Sequence, residues 1–263
     1  MRFSIITICY NSEKTIERTL KSVLNQSYTD FEYIIVDGAS KDGTLEIVKR
    51  YEPLFEGRMK WKSEPDKGIY DAMNKGVRMA SGDIIGIVNS DDWLEPNALN
   101  VVSNTYTHNK NNTNALYCGG IKFHKIDGTI KRWDVNIKSF KRQVPLYIMS
   151  GIRHPATFVP IQVYDKIGLF DDQMHLSADQ DFILRCYFGG IIFIEIKQVL
   201  SNMSEGGLST EESERARRMS TEDRKIMLLK FKKKGLSYSW LLYSWKFRGL
   251  VKRTIMKWIH FQY

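Results

Sequence analysis

Several features that would settle the class of this chain at once are missing from it. Cysteine is scarce: Cys9, Cys118 and Cys186 are far apart, with no CxxC pair and no Cys/His ligand spacing. That excludes a disulfide framework and a zinc site, and leaves three reduced core thiols. No stretch reaches the roughly 18 uninterrupted apolar residues of a helical membrane span. The opening "MRFSIITICY" has no basic leader and no small-residue cleavage site, so a cytoplasmic chain without a secretory signal is expected. No glycine precedes Gly38, which excludes the GxGxxG turn of a dinucleotide oxidoreductase after the first strand, and no GxxxxGK[ST] phosphate loop occurs. Internal repeats and low-complexity segments are also absent.

What is present reads as a globular chain of 263 residues, 43% hydrophobic and 26% charged, long enough for one main domain and a terminal appendage. Its net charge of +9 is a local property. Residues 230–263 hold seven Lys and two Arg with no acidic residue, while the other 229 residues carry 30 basic and 30 acidic side chains. The same tail contains nine of the 32 aromatic residues. From Leu236 its apolar residues recur at helical spacing, with Lys246, Lys252, Arg253 and Lys257 largely off that face. This pattern suits either a basic helix lying on an anionic membrane surface or a terminal helix packed on the domain with a solvated basic face.

Two periodicities alternate along the first 110 residues. "RFSIITICY", "FEYIIVDG", "MKWKSEP" and "DIIGIVN" are strand-length runs, and the segments between and after them repeat apolar residues at helical spacing. Parallel strands with crossover helices follow from that alternation. "ALYCGGIKFHKIDGTIKRW" reads as a hairpin turning at "IDGT". A loop region comes next, then a helix over "ADQDFILRCYFGG", a strand "IIFIEI" and a charged helical segment over about 210–234.

In an open parallel sheet, ligands bind outside the carboxyl ends of the strands. Four successive strands deliver polar groups there: Thr7, Tyr10 and Asn11; Asp37; Glu64, Asp66, Lys67 and Gly68; and the quartet Asn89, Ser90, Asp91 and Asp92. Any one of these sets reads equally well as a cap or turn, as Asp42 before "GTLEIV" does. Their joint occurrence points to a ligand. An aromatic ring can stack on a base, a carboxylate can accept from it, and a short acidic cluster at a strand end suits a hard divalent cation gripping a diphosphate.

The segments "SIITICYN", "YIIVDGASKDGT", "SEPDKGIYDAMNKG", "GDIIGIVNSDDWL" and "SADQDFILR" resemble, in order, the motif set of family 2 glycosyltransferases of bacterial polysaccharide assembly. The resemblance covers about residues 1–210 and implies a GT-A fold, a Rossmann-like, mostly parallel mixed sheet flanked by helices. It implies a nucleotide-sugar-binding half over 1–110 and an acceptor-binding half over 111–210; beyond it, composition and periodicity give a helical, basic, aromatic-rich C-terminal extension over 211–263. It further implies inverting transfer from a nucleotide sugar, UDP-linked by expectation, to a glycan or polyprenyl-linked acceptor, with Mn²⁺ or Mg²⁺ as cofactor. By the same resemblance Thr7, Tyr10, Asn11, Asp37, Asp66, Lys67, Gly68, Asn74, Asn89, Ser90 and Asp91 meet the donor. Asp91 is the metal-binding end of a DxD-like element whose first Asp is Asn89 here, and Asp92 becomes a rival or partner for the metal.

The resemblance also makes Asp179 the catalytic base. One carboxylate suffices for a single in-line displacement, whereas a flanking pair would suggest a hydrolase. Asp181 is two residues on and points away on a helix, with Arg185 four residues further as its natural partner. His154 in "IRHPATFVP" is a candidate for the acceptor or metal side, against the commoner structural role of a lone His. Glu205–Ser209, "EGGLS", reads as a loop that closes over the diphosphate or as a plain linker. Two other classes compete: a nucleotidyltransferase, which would need a glycine-rich basic loop after the first strand, and a nucleic-acid binder using the tail, whose phosphate backbone the acidic strand ends would repel. No nucleic-acid partner is therefore expected, and the chain is placed in the cytoplasm, peripheral at the inner face of the membrane through residues 230–263.

Overall fold

The computed structural model describes residues 1–143, 152–206 and 214–231 of the chain. A single nine-stranded sheet organises them. Its first half consists of β1 (Phe3–Cys9), β2 (Phe31–Asp37), β3 (Met59–Ser63) and β4 (Ile84–Ile87), all parallel and ordered β3-β2-β1-β4. Every residue of β1 and β2 is buried. Strands covered on both faces by crossover helices have no solvent side, which is why they read as unbroken apolar runs. The order reverses between β1 and β4, so the crevice beyond Cys9 and Val88 is the switch point where such sheets take ligands.

The second half adds β8 (Thr157–Pro160), antiparallel to β4, then β6 (Ala115–His124), β9 (Ile192–Ser204) and the two-residue β5 (Trp93–Leu94), with β7 (Ile130–Trp133) paired to β6. Alternate side chains of each strand enter separate cores. Phe3, Ile5, Phe31, Tyr33 and Ile35 meet α1 (Ile16–Leu24), α2 (Thr44–Tyr51) and α4 (Ala98–His108). Ile6, Ile8, Ile34 and Val36 meet α3 (Ile69–Met79), α5 (Ile137–Gln143), α6 (Ile161–Ile167), α7 (Ala178–Phe188) and α8 (Glu214–Phe231). At Gly76 a Cβ would lie 2.4 Å from Ile6 Cγ2, so glycine is what lets α3 settle directly on β1.

The expected hairpin is β6 and β7, pairing Ile121 with Trp133 and His124 with Ile130. The region read as loop holds α5, a 3-10 turn at His154–Ala156, β8 and α6. "TFVP" is fully buried but four residues long, too brief to display a period, and it ends in a proline that cannot continue the ladder. The strand expected over "IIFIEI" runs on to Ser204, carrying the chain back to the acidic turn after β4.

The described part of the C-terminal extension is tied into the domain. Met227 and Phe231 of α8 join the core of α7. Asp223, fully buried, accepts from the backbone N–H groups of His175 (2.8 Å) and Leu176 (2.6 Å), and Lys230 pairs with Asp181 at 3.1 Å and with Asp171. The amphipathic helix expected from Leu236 onward, and positions 207–209 of the Glu205–Ser209 loop, lie outside the described residues.

At the opposite edge of the sheet, buried Glu32 on β2 ties three strands together. It accepts from Ser4 Oγ (2.6 Å), Ser81 N (2.6 Å) and Ser81 Oγ (2.9 Å), and pairs with Lys60 Nζ at 2.9 Å. Burial alone would raise its pKa, but the bonds from Ser4, Lys60 and Ser81 outweigh it and lower the value to about 2. A folded-state pKa below the unfolded one gives stability that is present above about pH 4.5 and lost as pH falls toward 2. Glu32→Gln is expected to lower stability at pH 7 by about 1–3 kcal/mol and to flatten the loss between pH 4.5 and 2. Melting curves across that range check it; an unchanged acid slope in Glu32→Gln contradicts it.

Candidate active site at the carboxyl edge of the sheet

The crevice is built from four strand ends. After β1, Tyr10 stands 59% exposed with its ring uncovered, and Asn11, in a left-handed conformation (φ 49°), accepts from Lys41 N at 2.9 Å while its own N–H donates to Ser40 Oγ at 2.8 Å. Buried Asp37, at the end of β2, accepts from Ser40 N (3.0 Å), Ser63 Oγ (2.6 Å) and Ser40 Oγ. It locks the ends of β2 and β3 to the following loop. After β3, Asp66 Oδ1 accepts from Gly68 N at 2.9 Å, and Gly68 holds φ +130°, which only glycine adopts freely. A Cβ on Gly38 would lie 2.5 Å from Asp66 Oδ2 and 3.3 Å from the Tyr10 ring. Gly38 is thus the floor of a small cradle walled by an exposed aromatic face and a carboxylate.

The turn after β4 is held by its backbone, leaving part of its oxygen chemistry unspent. Ser90 Oγ bonds Ser12 Oγ at 2.8 Å, joining the ends of β1 and β4. Asp91 O accepts from Arg18 Nη2 (2.7 Å) and Ser204 Oγ (2.9 Å), and Arg18 lies 3.7 Å over the Trp93 ring. Asp92 is 1% exposed; its Oδ1 accepts from Ser204 N (3.1 Å) and its Oδ2 from Asn89 Nδ2 (3.3 Å). Burial and the neighbouring Asp91 charge push the Asp92 pKa upward, and burial raises that of Asp91. Among the described residues no cation bonds either carboxylate, and Asn89 Oδ1 is buried without a partner. The nearby Arg18 charge offsets this upward push only in part, and a partly buried carboxylate, a buried one and an orphaned oxygen are hard-oxygen ligands that fit a divalent cation. The described residues contain no group of three or more His, Cys, Asp or Glu able to hold a metal. One or two protein carboxylates, completed by phosphate and water oxygens, is the usual arrangement for Mg²⁺.

Asp179 sits at the start of α7, where Tyr70 Oη on α3 donates to its Oδ1 at 3.1 Å. Burial, and then the Asp179 charge, hold the Tyr70 pKa high, so the phenol remains a donor. Asp179 Oδ2 has no bonded partner among the described residues. Asp181 pairs with Arg185 at 2.8 Å, as the i,i+4 spacing predicts, and with Lys230, which removes it from acid-base work. His154 lies against Phe170, ring centroids 5.7 Å apart; burial lowers its pKa and the Asp179 charge opposes that.

Tyr10, Asp66, Lys67, Gly68, Asn89, Ser90 and Asp91 are brought to one edge. Asn11 is exposed at the same edge; Asp37 ends its strand there but is fully buried, its oxygens taken up by Ser40 and Ser63; Thr7 and Asn74 are not brought there. Thr7 is fully buried on Tyr33 Oη (2.9 Å), and Asn74, also buried, donates to Phe170 O and accepts from Phe170 N, clamping α3 to the loop before α7. Sequence reasoning missed Gly38, Arg18, Ser63, Tyr70 and Ser204. The strand read over "IIFIEI" stops eight residues short of Ser204, and all five emerge only from tertiary approach.

The profile of the family described as Glycosyl transferase family 2 matches residues 4–167. An uncharacterized glycosyltransferase of Mycobacterium tuberculosis is 33% identical over 187 residues, 69% of this chain and 67% of that protein. Among solved structures, S. aureus TarS 1-349 in complex with UDP-GlcNAc superposes with a TM-score of 0.65 at 21% identity, over 92% of this chain and 69% of that one. Against the longer TarS chain the match spans 41% of its length. The mannosyltransferase PcManGT of Pyrobaculum calidifontis, in complex with GDP-Man and Mn²⁺, gives 0.62 at 18% identity, over 89% of this chain and 65% of that one. The curled mixed sheet with flanking helices is the GT-A arrangement that these structures share.

If the carboxylates of Asp91 and Asp92 repel without a cation, Asp91→Asn is expected to raise the melting temperature in EDTA, by about 1–2 kcal/mol of stability. Asp92→Ala strands the Ser204 N–H and is expected to cost about 1–3 kcal/mol. Thermal melts of the three proteins in EDTA decide it, and a destabilised Asp91→Asn contradicts the repulsion.

Proposed function

The chain belongs to glycosyl transferase family 2, and from that footing we propose that it is an inverting, metal-dependent hexosyltransferase. Its donor is a nucleoside diphosphate sugar, with UDP as the first nucleotide to test, and its acceptor a glycan or lipid-linked glycan of cell-surface polysaccharide assembly. The observation that carries this reading is the unpaired Asp91 carboxylate beside the orphaned Asn89 Oδ1, at the switch point of the sheet and one strand away from the Tyr10–Asp66 cradle.

In this reading the nucleobase stacks on Tyr10 above Gly38, with Asp66 accepting from its edge, and Asn11 and Lys67 border the ribose and phosphates. Asp91 is the protein ligand of the cation; Asp92, with both oxygens already accepting, sets the turn that presents it. When bound, Mn²⁺ or Mg²⁺ supplies the charge that stabilises the departing diphosphate. Asp179 takes the acceptor proton on Oδ2, while Tyr70 fixes the carboxylate through Oδ1. A single base matches a single displacement, because Asp181 is spent on Arg185 and Lys230. A donor site formed by β1 to β4 and a base carried on α7 are joined through Tyr70 and Asn74 of α3. No described helix is long and apolar enough to cross a membrane. The composition of residues 230–263 supports peripheral contact with an anionic membrane that carries the acceptor.

A panel of nucleotide sugars, each with and without Mn²⁺, is the direct test, since a ligand at about 100 times its Kd adds about 2.7 kcal/mol to stability. One UDP-sugar is expected to stabilise the chain in a Mn²⁺-dependent way, with the Mn²⁺-dependent part absent in Asp91→Asn. Asp179→Asn is expected to keep that stabilisation and lose about a hundredfold or more of transfer. Normal turnover by Asp179→Asn rules out its role as base.

A further inference from the structure

A cavity of about 330 Å³ opens beside β7 and the start of α5, lined by Arg132, Trp133, Asn136, Ser139 and Arg153 among others. Its size suits a sugar-sized ligand. The Trp133 indole is a fixed plate: one face stacks on Phe123, centroids 4.8 Å apart at 10°, and the Arg153 guanidinium lies 4.6 Å from its centroid. Arg153 immediately precedes the His154–Ala156 turn and is close enough to Asp179 to feel its charge.

What sets Arg153 apart is that a partly buried guanidinium is left unbonded among the described residues. Arg185 is taken up by Asp181 and the carbonyls of Ile167 and Leu169, and Arg18 by Asp91 O and Ser204. Asp134, at the cavity wall, pairs with Arg132 at 2.7 Å, and Asp179 accepts from Tyr70. Among the described residues Arg153 has neither an ion pair nor a side-chain hydrogen bond, although it is partly buried. Burial disfavours its charge, and only the field of Asp179 offsets that. A guanidinium held over an indole at a cavity wall, with no bond to its donors among the described residues, is preorganised for bidentate contact with an oxyanion.

We infer that this cavity binds an oxyanion group of the acceptor, with Arg153 as the principal contact and Arg132 at its rim. The inference rests on the proposed transferase reading, and it narrows the acceptor to an anionic one. A bound oxyanion would anchor the acceptor on the side of the site that carries Asp179, away from the donor cradle. The same chemistry comes from two sources, a phosphate on a sugar or a prenyl chain, or the carboxylate of a uronic acid.

Calorimetric titration of the full chain in EDTA with glucose 1-phosphate, farnesyl phosphate and glucuronate, and with neutral glucose as control, tests it. EDTA keeps these anions from associating with a cation at Asp91. At least one anion is expected to bind while glucose does not, and Arg153→Gln is expected to weaken that binding by about tenfold to a hundredfold. Arg153→Lys, which keeps the charge and loses the fork, should fall between, and Arg132→Gln should show a smaller loss. Preference for a phosphate or for glucuronate identifies the source, and either upholds the site. The Mn²⁺-dependent response to UDP-sugar should be unchanged in Arg153→Gln. A wild-type chain that answers no nucleotide sugar yet takes up an anion through Arg153 overturns the donor reading and leaves this site standing. If no anion binds the wild type, or if Arg153→Gln and Arg153→Lys both bind as tightly as it does, the oxyanion site is wrong.

Discussion

Two adjacent carboxylates at the reversal point of the sheet, one buried and one partly so, with no cation bonded to either among the described residues, are the constraint around which the rest is arranged. Placing Asp91 and Asp92 there costs free energy, and the fold spends specific contacts to hold them. Ser204, at the end of β9, bonds both: its N–H reaches the Asp92 carboxylate and its hydroxyl the Asp91 carbonyl. The acidic turn thus depends on a strand more than 100 residues away in sequence, and the mixed second half of the sheet is needed to complete a site that the first half begins.

The same division of labour recurs on the other side of the crevice. Asp179 comes from α7, but its geometry is set by Tyr70 of α3, and α7 itself is anchored by α8, whose Asp223 caps the approach at His175 and Leu176 and whose Lys230 reaches Asp181. A helix read from sequence as part of a separate extension contributes directly to where Asp179 stands. Arg153, unbonded among the described residues, adds a charge opposite in sign to Asp179. In the proposed reading, anions on the donor side and a cation on the acceptor side would give each substrate a different electrostatic handle.

Much of this was legible in the chain. Strands β1, β2 and β4 announced themselves because burial on both faces makes them apolar runs, and the polar ends of the four parallel strands marked the crevice without any contact being known. The hairpin at "IDGT" and the helix carrying Asp179 were equally plain. Short or irregular pieces were not: "TFVP" has too few residues for a period, and Trp93–Leu94 becomes a strand only because β9 passes beside it. Residue type misled where a polar group serves the interior. Thr7 and Asn74 look like ligand contacts at a strand end and on a nearby helix, yet their polar atoms are satisfied by Tyr33 and Phe170. Gly38, Arg18 and Tyr70 gave no sign, because their importance lies in what approaches them in space.

The central claim, that the paired carboxylates after β4 exist to seat a divalent cation against a diphosphate, is tested most directly by a crystal structure with Mn²⁺ and UDP, read from the manganese anomalous signal. The expected peak lies in contact with a carboxylate oxygen of Asp91 and with oxygens of both phosphates, the uracil resting on Tyr10. A peak elsewhere, or a diphosphate bound with the Asp91 side chain turned to solvent and no metal beside it, contradicts the account.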